Sequence, residues 1–166
     1  MTSPPIRAPE TSDVERIKEI AVDAGMFEAD EVAFFDDLLL GYLDGSSADH
    51  RWLVVDGPEG AAVAAAYWAP EPFADRVWNL YFLAVAPEGQ GRGLGTSIVG
   101  HIERDLRSLG DDVARVLIVE TSSTDQYRRT RAFYRSLGYD EEARIRQFYG
   151  PGDDKVVFWK ALAGPK

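Results

Sequence analysis

From Leu83 to Thr96 the chain reads Leu-Ala-Val-Ala-Pro-Glu-Gly-Gln-Gly-Arg-Gly-Leu-Gly-Thr, with glycines alternating at 91, 93 and 95. A strand-like apolar run precedes this stretch and a helical period follows it. The first turn of a helix offers about four N–H groups without an intrahelical acceptor, together with a partial positive charge. Glycine lets a ligand approach the main chain with no Cβ in the way. The chemistry open to such a segment is the cradling of a phosphate or pyrophosphate, with Arg92 and Thr96 as added donors. Two familiar cradles do not fit. A Walker loop needs Gly-Lys-Ser/Thr, and this stretch has no lysine. A Rossmann turn wants its third glycine at 96, where Thr96 stands. A mere connector needs one or two glycines rather than three, which makes it the weaker reading.

Other chemistries are narrowed by what is scarce. The chain of 166 residues has no cysteine, which excludes a disulfide framework, a thiolate zinc site and a cysteine nucleophile. His50 and His101 stand far apart, so no metal site is expected. The net charge of −10 argues against a general nucleic-acid binder, whose affinity comes from neutralising phosphates. The charge is uneven. Residues 1–91 carry a large acidic excess, whereas residues 92–166 are slightly basic and hold Arg92, Arg128, Arg129, Arg131 and Arg135. That asymmetry permits an anionic ligand on the second half. No run approaches the roughly 20 apolar residues of a membrane span, and Met1–Arg7 lacks the apolar centre of a secretory signal. A soluble cytoplasmic protein without nucleic-acid or membrane partners is expected; a homodimer is allowed but nothing specifies it.

The elements that must position the glycine loop can be placed by periodicity. Ser12-Asp-Val-Glu15 has the form of a capping box, followed by Val14, Ile17, Ile20, Ala21 and Ala24 at helical spacing up to Gly25. A second helix is predicted over Ala29–Leu43. Strands are predicted over Trp52–Val55, Ala61–Trp68 and Val77–Val85, and a short one at Pro5–Ala8. Leu94, Ile98, Val99, Ile102, Leu106 and Leu109 make a helical stripe stopped by Gly110. A strand over Val113–Thr121, a helix from Thr124 or Asp125 to Leu137, and strands over Ala143–Tyr149 and Lys155–Trp159 complete the chain. With no repeat and no internal linker, residues 1–166 read as a single domain. The fold class is α+β, with a mixed sheet and helices on both faces.

Gln90-Gly-Arg-Gly-Leu-Gly95, preceded by Leu83-Ala-Val85 and Pro87, resembles the acetyl-CoA-binding motif of the Gcn5-related N-acetyltransferase (GNAT) family. Arg131-Ala-Phe-Tyr134-Arg-Ser-Leu-Gly138-Tyr139 is similar to that family's Phe-Tyr-x-x-x-Gly-Phe helix. Length and element order agree over nearly the whole chain. The resemblance breaks at Tyr127, where many members carry Asn, and at Thr130, where Ala is usual.

The resemblance implies a central sheet that splays, and acetyl-CoA as cosubstrate. It places the pyrophosphate on the main-chain N–H groups of Gln90, Gly91, Arg92, Gly93, Leu94, Gly95 and Thr96. The pantetheine arm would pair with Leu83, Ala84 and Val85, and an N–H near Val85 would polarise the thioester carbonyl. Tyr134 matches the general acid that protonates the departing thiolate; without the motif it reads as a core aromatic. Direct transfer also needs a neutral amine. Glu120, the charged residue ending Val116-Leu-Ile-Val, is the first candidate base, while Asn79 and Tyr81 could hold a relay water. Phe27, Tyr67, Trp68, Asn79 and Tyr81 are candidate acceptor contacts, and a primary amine of a small molecule or peptide is the expected acceptor. A non-catalytic acyl-CoA-binding regulatory module is the alternative.

Overall fold

The computed structural model describes residues 5–163; Met1–Pro4, read above for a targeting signal, lie outside them. The strands are β1 (Ile6–Arg7), β2 (Arg51–Asp56), β3 (Ala62–Pro70), β4 (Val77–Val85), β5 (Val116–Ser122), β6 (Asp140–Gly150) and β7 (Asp153–Ala161). The helices are α1 (Val14–Asp23), α2 (Phe34–Leu43), α3 (Leu94–Ser108) and α4 (Arg128–Ser136). The sheet order is β1-β2-β3-β4-β5-β7-β6. β4 and β5 run parallel, whereas β1–β2, β2–β3, β5–β7 and β6–β7 are antiparallel. A parallel pair needs a long crossover, and α3 lies in it. The α+β class with a mixed sheet is therefore the observed one.

The chain divides into two compact units, Met1–Ala69 with Phe82–His101, and Pro70–Tyr81 with Ile102–Lys166. In the first unit the apolar stripe of α1 places Ile17, Ile20 and Ala21 in the core, where they join Phe35 and Leu39 of α2. Phe35 meets Phe82 edge-on with ring centroids 5.0 Å apart, and Trp52 stacks on Tyr67 at 4.7 Å. Arg7 ties β1 to its neighbours, donating to Asp13 at 2.8 Å and to Asp56 at 2.9 Å.

One difference from the expected pattern lies beside that arginine. The capping box observed is Glu10 with Asp13 around a 3-10 turn over Thr11–Asp13, not Ser12 with Glu15: the Asp13 carboxylate accepts the Glu10 N–H at 2.7 Å, and α1 starts from that turn without a side-chain cap. Arg7 reaches the same Asp13 carboxylate from outside the box. The expected long second helix is also broken. A 3-10 turn at Ala29–Glu31 precedes α2, and Val32 between them turns into the core.

In the second unit β5 pairs with β7 along its full length, from Val116↔Ala161 to Ser122↔Lys155. Trp78 of β4 donates from Nε1 to the Val113 carbonyl at 3.0 Å. Beneath α3 the buried Glu103 carboxylate accepts from the Tyr139 hydroxyl at 3.0 Å and pairs with Lys160 at 3.0 Å. Buried charges are tolerable when partnered in this way. β6 is one edge of the sheet, and Gln147 in it has φ +53°.

Candidate functional site

β4 ends at Val85, and the Ala86 N–H fastens that end by donating to the Val63 carbonyl at 2.8 Å. A 3-10 turn over Pro87–Gly89 follows. Gly89 is a packing glycine, since a Cβ there would stand 3.2 Å from both Leu94 Cδ1 and Val85 Cγ1. Gly91 and Gly93 are glycines of conformation. Their φ values are +78° and +73°, with open space where a side chain would go. Two left-handed residues in three turn successive amides outward before α3 begins.

The result is a row of unanswered donors. Among the described residues, no carbonyl or side chain accepts from the amides of Gly91, Arg92, Gly93, Leu94, Gly95 or Thr96; the first paired amide is that of Ser97, to Gly93 O at 3.1 Å. Gln90 behaves differently. Its amide donates to Pro87 O at 3.3 Å, and its Nε2 donates to Val85 O at 3.1 Å. It braces the loop instead of extending the row. Arg92 is exposed and lines a cavity of about 260 Å³ with Arg16 and Glu88. Arg16 is held there by Glu88 at 2.6 Å and Ala62 O at 2.7 Å.

The parallel β4–β5 ladder ends at Leu80↔Val119. Leu83, Ala84 and Val85 lie on β4 beyond that last pair, with Ala84 buried and its two neighbours half-buried.

Tyr134 sits on α4, which Arg131 fastens by donating to the Ser122 and Thr124 carbonyls, both at 2.8 Å. Its ring is buried against Tyr139 and Phe158, with centroids 5.7 and 5.8 Å away. No described residue hydrogen-bonds its hydroxyl. Burial pushes its ionisation well above the ordinary phenol value. The group is therefore both a core aromatic and a protonated hydroxyl with an unspent donor.

Glu120, two residues before the end of β5, is half-buried and paired with Lys155 at 3.2 Å. Lys155 also lies 3.6 Å from the Phe148 ring centroid. The remaining candidates fall into two groups. Phe27 packs on Phe34 and Phe35 at 5.5 and 5.7 Å, and Trp68 is buried. Tyr67 exchanges a hydrogen bond with His50 Nδ1 at 2.9 Å, and burial first, then Asp49, pushes its phenol up to about 12. These three belong to the first unit.

Asn79 and Tyr81 belong to the second, and a residue not foreseen brings them together. Glu71 Oε1 accepts from Asn79 Nδ2 at 2.6 Å and from the Tyr81 hydroxyl at 2.9 Å. The Glu71 N–H closes its loop on Val77 O at 2.8 Å. The usable signal was that Glu71 must face the start of β4 if β3 and β4 are neighbours. Among the described residues no group of three His, Cys, Asp or Glu could hold a metal ion, and no helix is long and apolar enough to cross a membrane.

Comparison with known proteins bears on the family and the fold. The profile of the acetyltransferase (GNAT) family matches residues 14–139. No protein of curated function matches the chain in sequence. A Desulfovibrio desulfuricans protein assigned to the GNAT family is 27% identical, with a TM-score of 0.86 over 96% of this chain and 99% of its own. The Salmonella typhimurium protein yncA, solved with its cofactor acetyl-CoA, is 22% identical, with a TM-score of 0.78 over 99% of each chain. The phosphinothricin acetyltransferase of Sinorhizobium meliloti, in complex with acetyl-CoA, is 18% identical, with a TM-score of 0.76 over 99% of this chain and 94% of its own.

Proposed function

The chain belongs to the acetyltransferase (GNAT) family, and from that membership we propose that it is an N-acetyltransferase. It transfers an acetyl group from acetyl-CoA to a primary amine of a small molecule or peptide, by direct attack in a ternary complex. Residues 1–166 act as one acyltransferase domain in the cytoplasm. The observation that carries the reading is the row of unpaired amides from Gly91 to Thr96 at the start of α3. A diphosphate is the ligand such a row suits, because it needs several aligned donors and a partial positive charge at once. That two neighbours hold acetyl-CoA supports the same cosubstrate here.

Acetyl-CoA, when bound, supplies the activated acyl group. The chain's residues do the rest. The amides of residues 91–96 fix the diphosphate, with the Arg92 and Thr96 side chains beside them. Leu83, Ala84 and Val85 align the pantetheine arm, and an N–H near Val85 polarises the thioester carbonyl; one such donor contributes roughly 3–4 kcal/mol. The Tyr134 hydroxyl gives its proton to the departing sulfur. Burial keeps that proton in place at neutral pH. A chain without cysteine cannot carry the acetyl group on a thiol, which favours direct attack. Glu120 takes the proton from the attacking amine once Lys155 moves aside.

The Glu120–Lys155 ion pair is also the observation that favours a second reading, a non-catalytic acyl-CoA-binding regulatory module. One experiment separates them: calorimetry with acetyl-CoA, then thiol release over amino acids, polyamines, aminoglycosides and peptides. Binding with turnover supports the enzyme. Binding with no turnover over the panel supports the module, and no binding defeats both.

A further inference from the structure

Glu71 is a carboxylate whose charge has no counterpart. Among the described residues no Lys, Arg or His pairs with it, in contrast to Glu120. It is half-buried, and its Oε1 is already engaged by Asn79 and Tyr81. Its Oε2 accepts from no described residue.

Asn79 supplies the second half of the observation. It is 1% exposed, and its Oδ1 is buried with no hydrogen-bond partner. Its orientation is not free. Turned the other way, its oxygen would stand 2.6 Å from the carboxylate oxygen of Glu71, acceptor against acceptor. The carboxylate therefore compels Nδ2 to face it and leaves Oδ1 without a donor. Buried polar atoms are almost always satisfied, and an orphan calls for a ligand or another partner.

A group that answers both atoms must be cationic and must carry several N–H donors. A primary ammonium is both. It can donate to Asn79 Oδ1 and to Glu71 Oε2 while its charge compensates the carboxylate. A hard metal ion is a poorer match, since one carboxylate and one amide oxygen fall short of the six or more oxygens it wants.

Tyr81 and Asn79 precede Leu83 on β4 by two and four residues, roughly 7 and 13 Å of extended chain, on the same alternate side. We propose that Glu71, Asn79 and Tyr81 form a seat for a cationic amino group of the acceptor other than the reacting nitrogen, held there as an ammonium, with Glu71 setting the preference for an acceptor that carries one. The inference rests on the acetyl-transfer reading for its role and on the Glu71–Asn79 geometry for its existence.

The probe is benzylamine, ammonium at neutral pH, set against its neutral isostere benzyl alcohol and against magnesium chloride. The readout is the side-chain amide resonance of Asn79 in the full-length 15N-labelled protein. Benzylamine should move that resonance saturably, while the alcohol and magnesium leave it in place. In Glu71→Gln, which preserves size and can still accept from Tyr81, the benzylamine affinity should fall about ten-fold or more. Equal shifts with benzyl alcohol or magnesium, no shift with benzylamine, or unaltered affinity in Glu71→Gln each overturn the seat. The wild-type comparison stands even if that variant folds poorly.

Calorimetry with acetyl-CoA on the same sample keeps the two readings apart. Acetyl-CoA binding with an unmoved Asn79 signal overturns the ammonium seat alone. A moved signal without acetyl-CoA binding overturns the acetyl-transfer reading, and with it the seat's role as acceptor site.

Discussion

Gln90 reaches back across its own turn and donates from Nε2 to the carbonyl of Val85 at 3.1 Å. The bond joins the end of β4 to the loop that opens α3, so strand and amide row keep one geometry. Gln90→Ala removes the brace and leaves the amides themselves intact. One lost neutral hydrogen bond contributes about 0.5–1.5 kcal/mol, so CoA should bind roughly three- to ten-fold more weakly. Isothermal calorimetry measures this. An unchanged Kd would show that the loop holds its shape without the brace.

Gly93→Ala tests the left-handed turn. No neighbouring atom obstructs the new Cβ, so the cost is the backbone conformation alone. An alanine at φ +73° costs about 1–2 kcal/mol in folding free energy. Relief of that strain by rotation would also withdraw amides from the row. Chemical denaturation should show the stability loss, and CoA affinity should fall with it. Stability and affinity both at wild-type level would refute the assignment.

Tyr134→Phe deletes a hydroxyl that no protein group uses. Folding stability should change by less than about 0.5 kcal/mol, since no protein hydrogen bond is broken. If Tyr134 is the acid, thiol release should drop by about 100-fold or more while acetyl-CoA affinity holds. Turnover at the wild-type rate across pH would remove it from that role.

Asp13 links pH to stability in the first unit. Hydrogen bonding from Arg7, and then the Glu10 N–H, hold its carboxyl below the ordinary range. A group with a depressed folded pKa stabilises the fold above its unfolded pKa of about 4, and that contribution is lost as pH falls toward the folded value. The melting temperature should therefore drop below about pH 4, and less steeply in Asp13→Asn. That variant should also lose about 1–3 kcal/mol at neutral pH, because Arg7 and the Glu10 N–H lose a charged partner. Parallel wild-type and variant curves through the acid range would show that Asp13 is not responsible.

Legibility in the sequence followed the range of the deciding interaction. β4 over Val77–Val85 was legible as a β-branched and aromatic run bounded by breakers, and the glycine loop by its alternation. The helix stripe of α3 was equally plain. The capping box was misplaced because it closes a 3-10 turn ahead of α1, where Arg7, a residue outside the box, also holds Asp13. Glu71 was passed over because its meaning depends on a loop folding back onto Asn79, eight residues on. Glu120 could be found as a lone charge, but its neutralisation by Lys155 requires the β5–β7 register.

The buried phenols set an alkaline limit on the molecule. Of seven tyrosines, Tyr67, Tyr134 and Tyr139 are buried, and all three ionise later than a free phenol, each chiefly through burial. An unfolded chain would release those protons near pH 10, so base favours unfolding by mass action. The phenolate absorbance of these three rings in the near ultraviolet should then emerge in one steep step that coincides with loss of tertiary structure, because they must reach water before they can become anions.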